Sequence, residues 1–453
     1  MKRSKRFQRL TALLCALVLA LGLSPAALAA GVTPRTTLAN RQDYQGYAAN
    51  PILTYLYPNG KGGLTRVEYN GANVEAEEYN GSYQLVSKKT FPMELPLWGG
   101  FFAGSRYNFL IYGQHNSKES PAVEFMRVVK YSKDWRRLGS ASFYDEYVYE
   151  IFRAGTLRCA ESGGRLYVMT CHTAYDFGDG KHHQSSFVFQ IDQDSMTYEH
   201  LDPFYVSHSF DQYILIDQQK RIVAVDLGDA SPYRAVNLQT LLVDFDPMQI
   251  YNSGTYEQKK IFDIPGQKGA NYTGVRLGGL EETTNHYVTA FSRGSQATQK
   301  GFEGSWDVYL SFTNKNTFQS SLVKASAGQN AVPPLLVSTG LDGGYVIWCD
   351  YTKDILQSDT LHYRTYSDNG TLGPIMTAKG HISDCQPVSY NGKLVWLTEG
   401  ADGAPTFYIL DAAGVKAVPA AAAPGAVELP PVTKASVPAP NTPKSSRGVV
   451  QDG

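Results

Sequence analysis

The feature that most constrains this sequence is an internal repeat, a hairpin unit that recurs at intervals of 48 to 65 residues. Each copy pairs a short strand of small residues with a tight turn and a second strand of alternating apolar residues ending in polar ones. Six copies are read: WGGFFAGSRYNFLIYGQ from Trp98, GTLRCAESGGRLYVMTCH from Gly155, HSFDQYILIDQQKRIVAVDLGD from His208, VRLGGLEETTNHYVTAFS from Val275, PLLVSTGLDGGYVIWCD from Pro334 and CQPVSYNGKLVWLTEG from Cys385. Their second strands begin near Asn108, Arg165, Arg221, His286, Tyr345 and Lys393, at separations of 57, 56, 65, 59 and 48 residues. That period is one four-stranded blade of a β-propeller.

Outer strands follow where a blade needs them, as in VEFMRVVKYSKDWRRLGSASF, SSFVFQIDQDSMTYEHL and SWDVYLSFTNKNTFQSSLVKAS. The sixth copy is followed by one clear strand, Thr406 to Asp411, so its missing outer strand is expected from the N-terminal side, where residues 51 to 91 are strand-like. Such closure leaves no free sheet edge. The expected fold is therefore an all-β propeller of six blades closed by N-terminal strand, with seven blades the second choice. A pair of β-sandwiches ranks third, because it predicts no even period. Tyr alone contributes 30 residues, and period-two spacing after residue 50 predicts almost no helix.

Residues 1–30 carry the charged start MKRSKRFQR, an apolar run from Leu10 to Leu23 and the small-residue stretch Ala26–Ala30, which together predict a cleaved secretory signal peptide. The run is shorter than the roughly 20 residues that span a bilayer, so no stable membrane insertion is expected after cleavage. Residues 31–50 then read as a linker, 51–416 as the propeller and 417–453 as a disordered Pro/Ala-rich tail. A net charge of −1 with scattered Lys and Arg argues against nucleic acid as a partner. Beyond the signal peptide, Cys159, Cys171, Cys349 and Cys385 imply no disulfide framework. Cys159 and Cys171 are too far apart along their hairpin to pair, and any disulfide is expected between Cys349 and Cys385.

The stretches FPMELPLWGGFFAGSRYNFLIYGQ, VVKYSKDWRRLGSASF, AGTLRCAESGGRLYVMTCHTAYDFGDGKHHQ, YVSHSFDQ, GDASPYRAV, GANYTGVRLGGLE and SDCQP resemble a group of uncharacterised exported propeller-like proteins of Gram-positive anaerobic bacteria. The resemblance runs from about Leu64 to Leu410 and implies export and fold, with no activity attached. The chain has Asp226-Leu227-Gly228-Asp229 where the group has Asp-His-Gly-Asp, and His182-His183-Gln184 where it has Asn-His-Gln. The first difference removes any role that needs an imidazole at 227.

Propellers bind ligands on the face where second strands end and innermost strands begin, or in the central channel. The long loop from His172 to Gln184 lies there and carries His172, Asp176, Asp179, His182 and His183, while His208 leads into the next blade. The candidate ligand-binding set is His172, His183, His208, Asp226 and Asp229, in which a carboxylate would orient an imidazole. Imidazole and carboxylate suit a transition metal, but the spacing matches no metal motif, so metal and cofactor stay unspecified. The plainer reading is that these histidines bond backbone between blades. Asp176-Phe177-Gly178-Asp179 lacks a calcium loop's alternation, and no GxSxG elbow occurs. The leading functional expectation is an exported, non-catalytic binding or scaffold propeller. It would recognise an extracellular polymer or protein on its loop face, secreted or associated with the cell envelope. The alternatives are a secreted hydrolase or lyase with a His-rich, metal-dependent site, and a structural envelope component.

Overall fold

The computed structural model describes residues 49–230, 233–245, 255–328, 330–331, 333–351, 357–399 and 405–432. The expected signal peptide, linker residues 31–48 and tail residues 433–453 lie outside the described residues.

Seven antiparallel sheets follow one another along the chain, each ordered from an innermost to an outermost strand. The protein is a seven-bladed β-propeller, with blades at 54–92, 97–143, 158–200, 209–263, 275–324, 335–379 and 388–419. The six repeat copies are blades 2 to 7, and their second strands start at Asn108, Arg165, Arg221, His286, Gly343 and Lys393. Among the described residues, helix is confined to a 3-10 turn at Asp202–Phe204, and no helix is long and apolar enough to cross a membrane.

The six-bladed expectation is corrected by blade 1, which residues 54–92 build entire. Its three turns start at Asn59, Asn70 and Asn80, whose side-chain oxygens accept the backbone N–H of Lys61, Ala72 and Ser82, each at 2.9 Å. Such a side-chain bond two residues on fixes a tight turn, and three turns make four strands. The apolar pattern is hidden there because inward positions carry charge. Arg66, Glu68, Glu75 and Glu77 are buried, with Arg66 Nη1 2.7 Å from Glu77 Oε2 and a second contact from Arg66 to Glu68.

Closure also differs from expectation. Blade 7 supplies its own outer strand, Gly414–Pro419, and the next strand, Ala421–Glu428, crosses to pair in parallel with the outer strand of blade 1, Gln84–Pro92. Leu429 N and Val432 N continue the ladder to Lys88 O and Thr90 O. Ordered strand thus runs past the expected boundary at 416, because this stretch satisfies its backbone on an edge that would otherwise be open. Truncation after Pro419 is expected to lower stability by about 2 kcal/mol, the order of a few ladder bonds at their net worth, because it uncovers the outer edge of blade 1. It should also promote self-association through the exposed edge. An unchanged urea midpoint and a monomeric profile would contradict this.

The core is divided among the blade interfaces. Seven apolar clusters each join two neighbouring blades, among them Phe109, Phe143, Phe187 and Phe189 between blades 2 and 3, and Leu56, Tyr79, Val395 and Phe407 between blades 1 and 7. Among the described residues Cys159, Cys171, Cys349 and Cys385 are all free. Cys349 packs between blades 6 and 7 and Cys385 between blades 7 and 1, so the sheet of blade 7 separates the pair expected to bond.

Candidate functional site

In every blade the innermost strand starts, and the second strand ends, at the same face of the disc. On that face a cavity of about 530 Å3 opens into the channel, walled by residues from the start of all seven innermost strands. Most of the lining is apolar or small, and five residues are charged: Arg158 of blade 3, Asp211 of blade 4, Arg276 of blade 5, Asp384 leading into blade 7, and Glu150 from the segment between blades 2 and 3.

Local backbone devices place them. A bulge interrupts the pairing of blade 4's first two strands between Phe210 and Tyr213, and Asp211 within it takes a left-handed φ of 51°. A bulge re-aims a side chain at a modest cost in pairing. Here it puts the Asp211 carboxylate against Leu277 N at 3.2 Å and Arg276 Nη1 at 3.6 Å. The innermost strands of blades 2 and 5 are bulged at the same level, between Trp98 and Gly100 and between Leu277 and Gly279. Arg158 follows a turn tied to blade 4, where Thr156 N donates to Gln212 Oε1 at 2.8 Å and Thr156 Oγ1 donates to Gln212 O at 3.0 Å. Gly155 in that turn lies so close to Cys171 Sγ that a Cβ would collide with it.

The Arg158 guanidinium lies 4.5 Å above the Tyr213 ring centroid. Asp384 Oδ2 accepts Leu53 N at 2.7 Å, and Trp98 Nε1 donates to Ile52 O at 2.8 Å, so residues 52–53 are pinned at the cavity wall. Trp98 in turn stacks on Tyr69. Among the described residues, two buried atoms at the mouth, Arg158 Nε and Asp384 Oδ1, find no hydrogen-bond partner. Burial raises the Asp384 carboxyl to about 7 against the opposing pull of Arg158. Burial also raises Asp211, with Arg276 and Arg158 pulling it back down. Asp384, raised to about 7 in a cleft with two guanidiniums, is able to hold, donate or accept a proton near neutral pH.

The five residues singled out from sequence lie at this end of the propeller but do not form one cluster. His172 points toward blade 2, with its ring 5.3 Å from that of Phe187, and burial lowers its pKa to about 3. His208 sits on the opposite side of the blade 3 sheet, in a left-handed conformation with φ 52°. Its main-chain N–H donates to Gln184 O and its main-chain carbonyl accepts Asp229 N, bonds that do not involve the imidazole. Burial lowers the pKa of His208, and the nearby His183 adds to the effect. His183 Nε2 is 2.7 Å from Asp179 Oδ2 on the surface. Asp226 accepts Ser209 Oγ at 2.6 Å, and Asp229 pairs with Arg234. Three residues apart on one strand, these two carboxylates face opposite sides of the sheet and neither orients an imidazole. Among the described residues no group of three His, Cys, Asp or Glu side chains is placed to hold a metal ion.

Fold and site together define a seven-bladed propeller with a charged, aromatic-walled channel mouth. No family model matches the chain, and no curated protein matches it in sequence. Among solved structures, the polysaccharide lyase Uly1 aligns with a TM-score of 0.43 at 10% identity over 86% of this chain and 97% of that chain. An α-L-arabinofuranosidase of Fusarium graminearum in complex with arabinobiose gives 0.41 at 12% identity, with the same coverage of 86% and 97%. A Synechocystis apocarotenoid oxygenase variant gives 0.33 at 9% identity over 74% of this chain and 63% of that one, so the chain spans less than two thirds of its length. Likeness at this level carries no argument about chemistry.

Proposed function

We propose that the chain acts outside the cell as a binding propeller that takes the end of a neutral saccharide polymer into its channel mouth. The observation that carries this reading is the convergence of Arg158, Asp211, Arg276 and Asp384, from four blades, in one cavity beside Trp98 and Tyr213. Sugar hydroxyls both donate and accept, so they need guanidinium and carboxylate together, and their C–H faces pack on aromatic rings. Two cations face three carboxylates, Glu150 being the third, and this mixed lining favours neither a polyanion nor a polycation. A volume of about 530 Å3 is in the range of small-ligand pockets and favours a chain end over a folded protein.

Titration calorimetry with cello-, xylo-, manno- and arabino-oligosaccharides tests the reading. Arg158→Met is expected to weaken binding of the recognised series by about 10- to 100-fold, the worth of a hydrogen bond to a charged group. The reading is lost if no series binds, or if the variant binds like the wild type.

The raised pKa of Asp384 favours one second reading, a glycan hydrolase or lyase in which this carboxyl moves the proton. New chain ends released from the bound oligosaccharide, and abolished by Asp384→Asn with binding retained, would establish it over the non-catalytic reading.

A further inference from the structure

The segment joining blades 2 and 3 is more elaborate than a connection requires. Its strand Val148–Ile151 adds to blade 3 by pairing with the end of the second strand, His172 with Ile151 and Thr173 with Glu150. At one end of this strand Glu150, Ile151 and Phe152 line the channel mouth. At the other stands Tyr147, which is 48% exposed, with its ring 5.8 Å from that of Phe177, which is 70% exposed. At about 3.4 Å per residue the two ends are on the order of 10–15 Å apart.

These rings are exposed but held. Tyr175 N donates to Tyr147 O at 2.8 Å, and the buried Asn116 donates to Tyr175 OH at 2.7 Å and to Ser120 O. Beneath them His182 stacks on Tyr149 at 3.6 Å and reaches Glu119 at 2.9 Å. The backbone is left-handed at Asp145, Tyr147, Phe152 and Ala154, four non-glycine residues within ten. Each such residue costs of order 1 kcal/mol or more and persists only where its surroundings impose it. An exposed aromatic pair fixed by a strained, bonded loop is preorganised for stacking, because little entropy is left to lose on binding.

We infer that this ridge is a second contact for the same ligand. A saccharide chain whose end occupies the channel mouth runs outward beside Val148–Ile151 and stacks its following residues on Tyr147 and Phe177. The inference rests on the reading of the channel mouth given above. A shared element connects the two places, since one strand carries residues of both. The charge of these segments selects the occupant: Glu119, Asp145, Glu146, Asp176 and Asp179 outnumber Lys118, Arg153 and Lys181, which disfavours a polyanion, while hydroxyls can donate to carboxylates.

The test compares a disaccharide with a hexasaccharide of the cello-, xylo-, manno- and arabino-series by calorimetry. In the wild type the hexasaccharide of the recognised series is expected to bind at least tenfold more tightly than its disaccharide. The double variant Tyr147→Ala/Phe177→Ala should lose that gain while leaving disaccharide affinity and the thermal midpoint unchanged, because both rings are exposed. Equal wild-type affinity at the two lengths, or equal weakening of both ligands in the double variant, overturns the ridge alone. Arg158→Met is expected to weaken both lengths together. Absence of binding at either length overturns the channel-mouth reading and the ridge with it.

Discussion

Arg66→Met is expected to destabilise the folded chain by about 3–5 kcal/mol near pH 8, the usual cost of removing one partner from a buried ion pair. Arg66, Glu68 and Glu77 are each 1% exposed or less at the interface that closes the ring between blades 1 and 7. The guanidinium contacts both carboxylates, and Tyr79 OH donates to Glu77 Oε2 at 2.7 Å. Without the cation two buried carboxylates face each other, and protonation becomes the only way to remove their charge. The penalty should therefore be present at alkaline pH and shrink as pH falls toward about 4. Urea unfolding at several pH values measures it, and Arg66→Met/Glu68→Gln/Glu77→Gln should recover most of the loss. A pH-independent change below about 1 kcal/mol in the single variant would show that the cluster is not electrostatically coupled.

Asp226 sets up a pH dependence of the opposite origin, already present in the wild type. It is fully buried, and burial raises its carboxyl to about 7 against the hydrogen bonds from Ser209 and Asn237. The unfolded chain releases this proton near pH 4 and the folded chain only near 7. Between those values the native state therefore holds more protons, and stability falls as pH rises. From about pH 4 to pH 8 the contribution amounts to about 4 kcal/mol at 1.36 kcal/mol per unit. Asp226→Asn removes the titration, so the stability difference between wild type and variant should change by that order across the window. A constant difference at all pH values would place the Asp226 carboxyl at its ordinary pKa in the folded protein.

The blades were legible wherever apolar alternation was intact. Second strands at Asn108, Arg165, Arg221, His286 and Lys393 begin where the repeat places them. Blade 1 was obscured because Arg66, Glu68, Glu75 and Glu77 occupy inward positions that periodicity reads as solvent-facing. A local signal was nonetheless available: Asn-Gly pairs at 59–60, 70–71 and 80–81 mark three hairpin turns and hence a whole blade. The closing strand Ala421–Glu428 carries almost nothing to recognise, since AAAPGAVE is low in β-propensity and takes its conformation from the edge it covers.

Histidine-rich loop composition drew attention to His172, His183 and His208, while the channel residues passed unnoticed. The innermost strands offered a different cue, a charged residue within the first three positions of the strand, as in Arg158, Asp211 and Arg276. By itself the sequence determined the β class and the blade period, because these follow from local alternation and turn spacing. Only the tertiary structure decided the C-terminal closure and the meeting of Arg158, Asp211, Arg276 and Asp384. Those depend on which side of a sheet each residue faces and on how the ring curves, and contacts across more than 200 residues of chain leave no trace in local pattern.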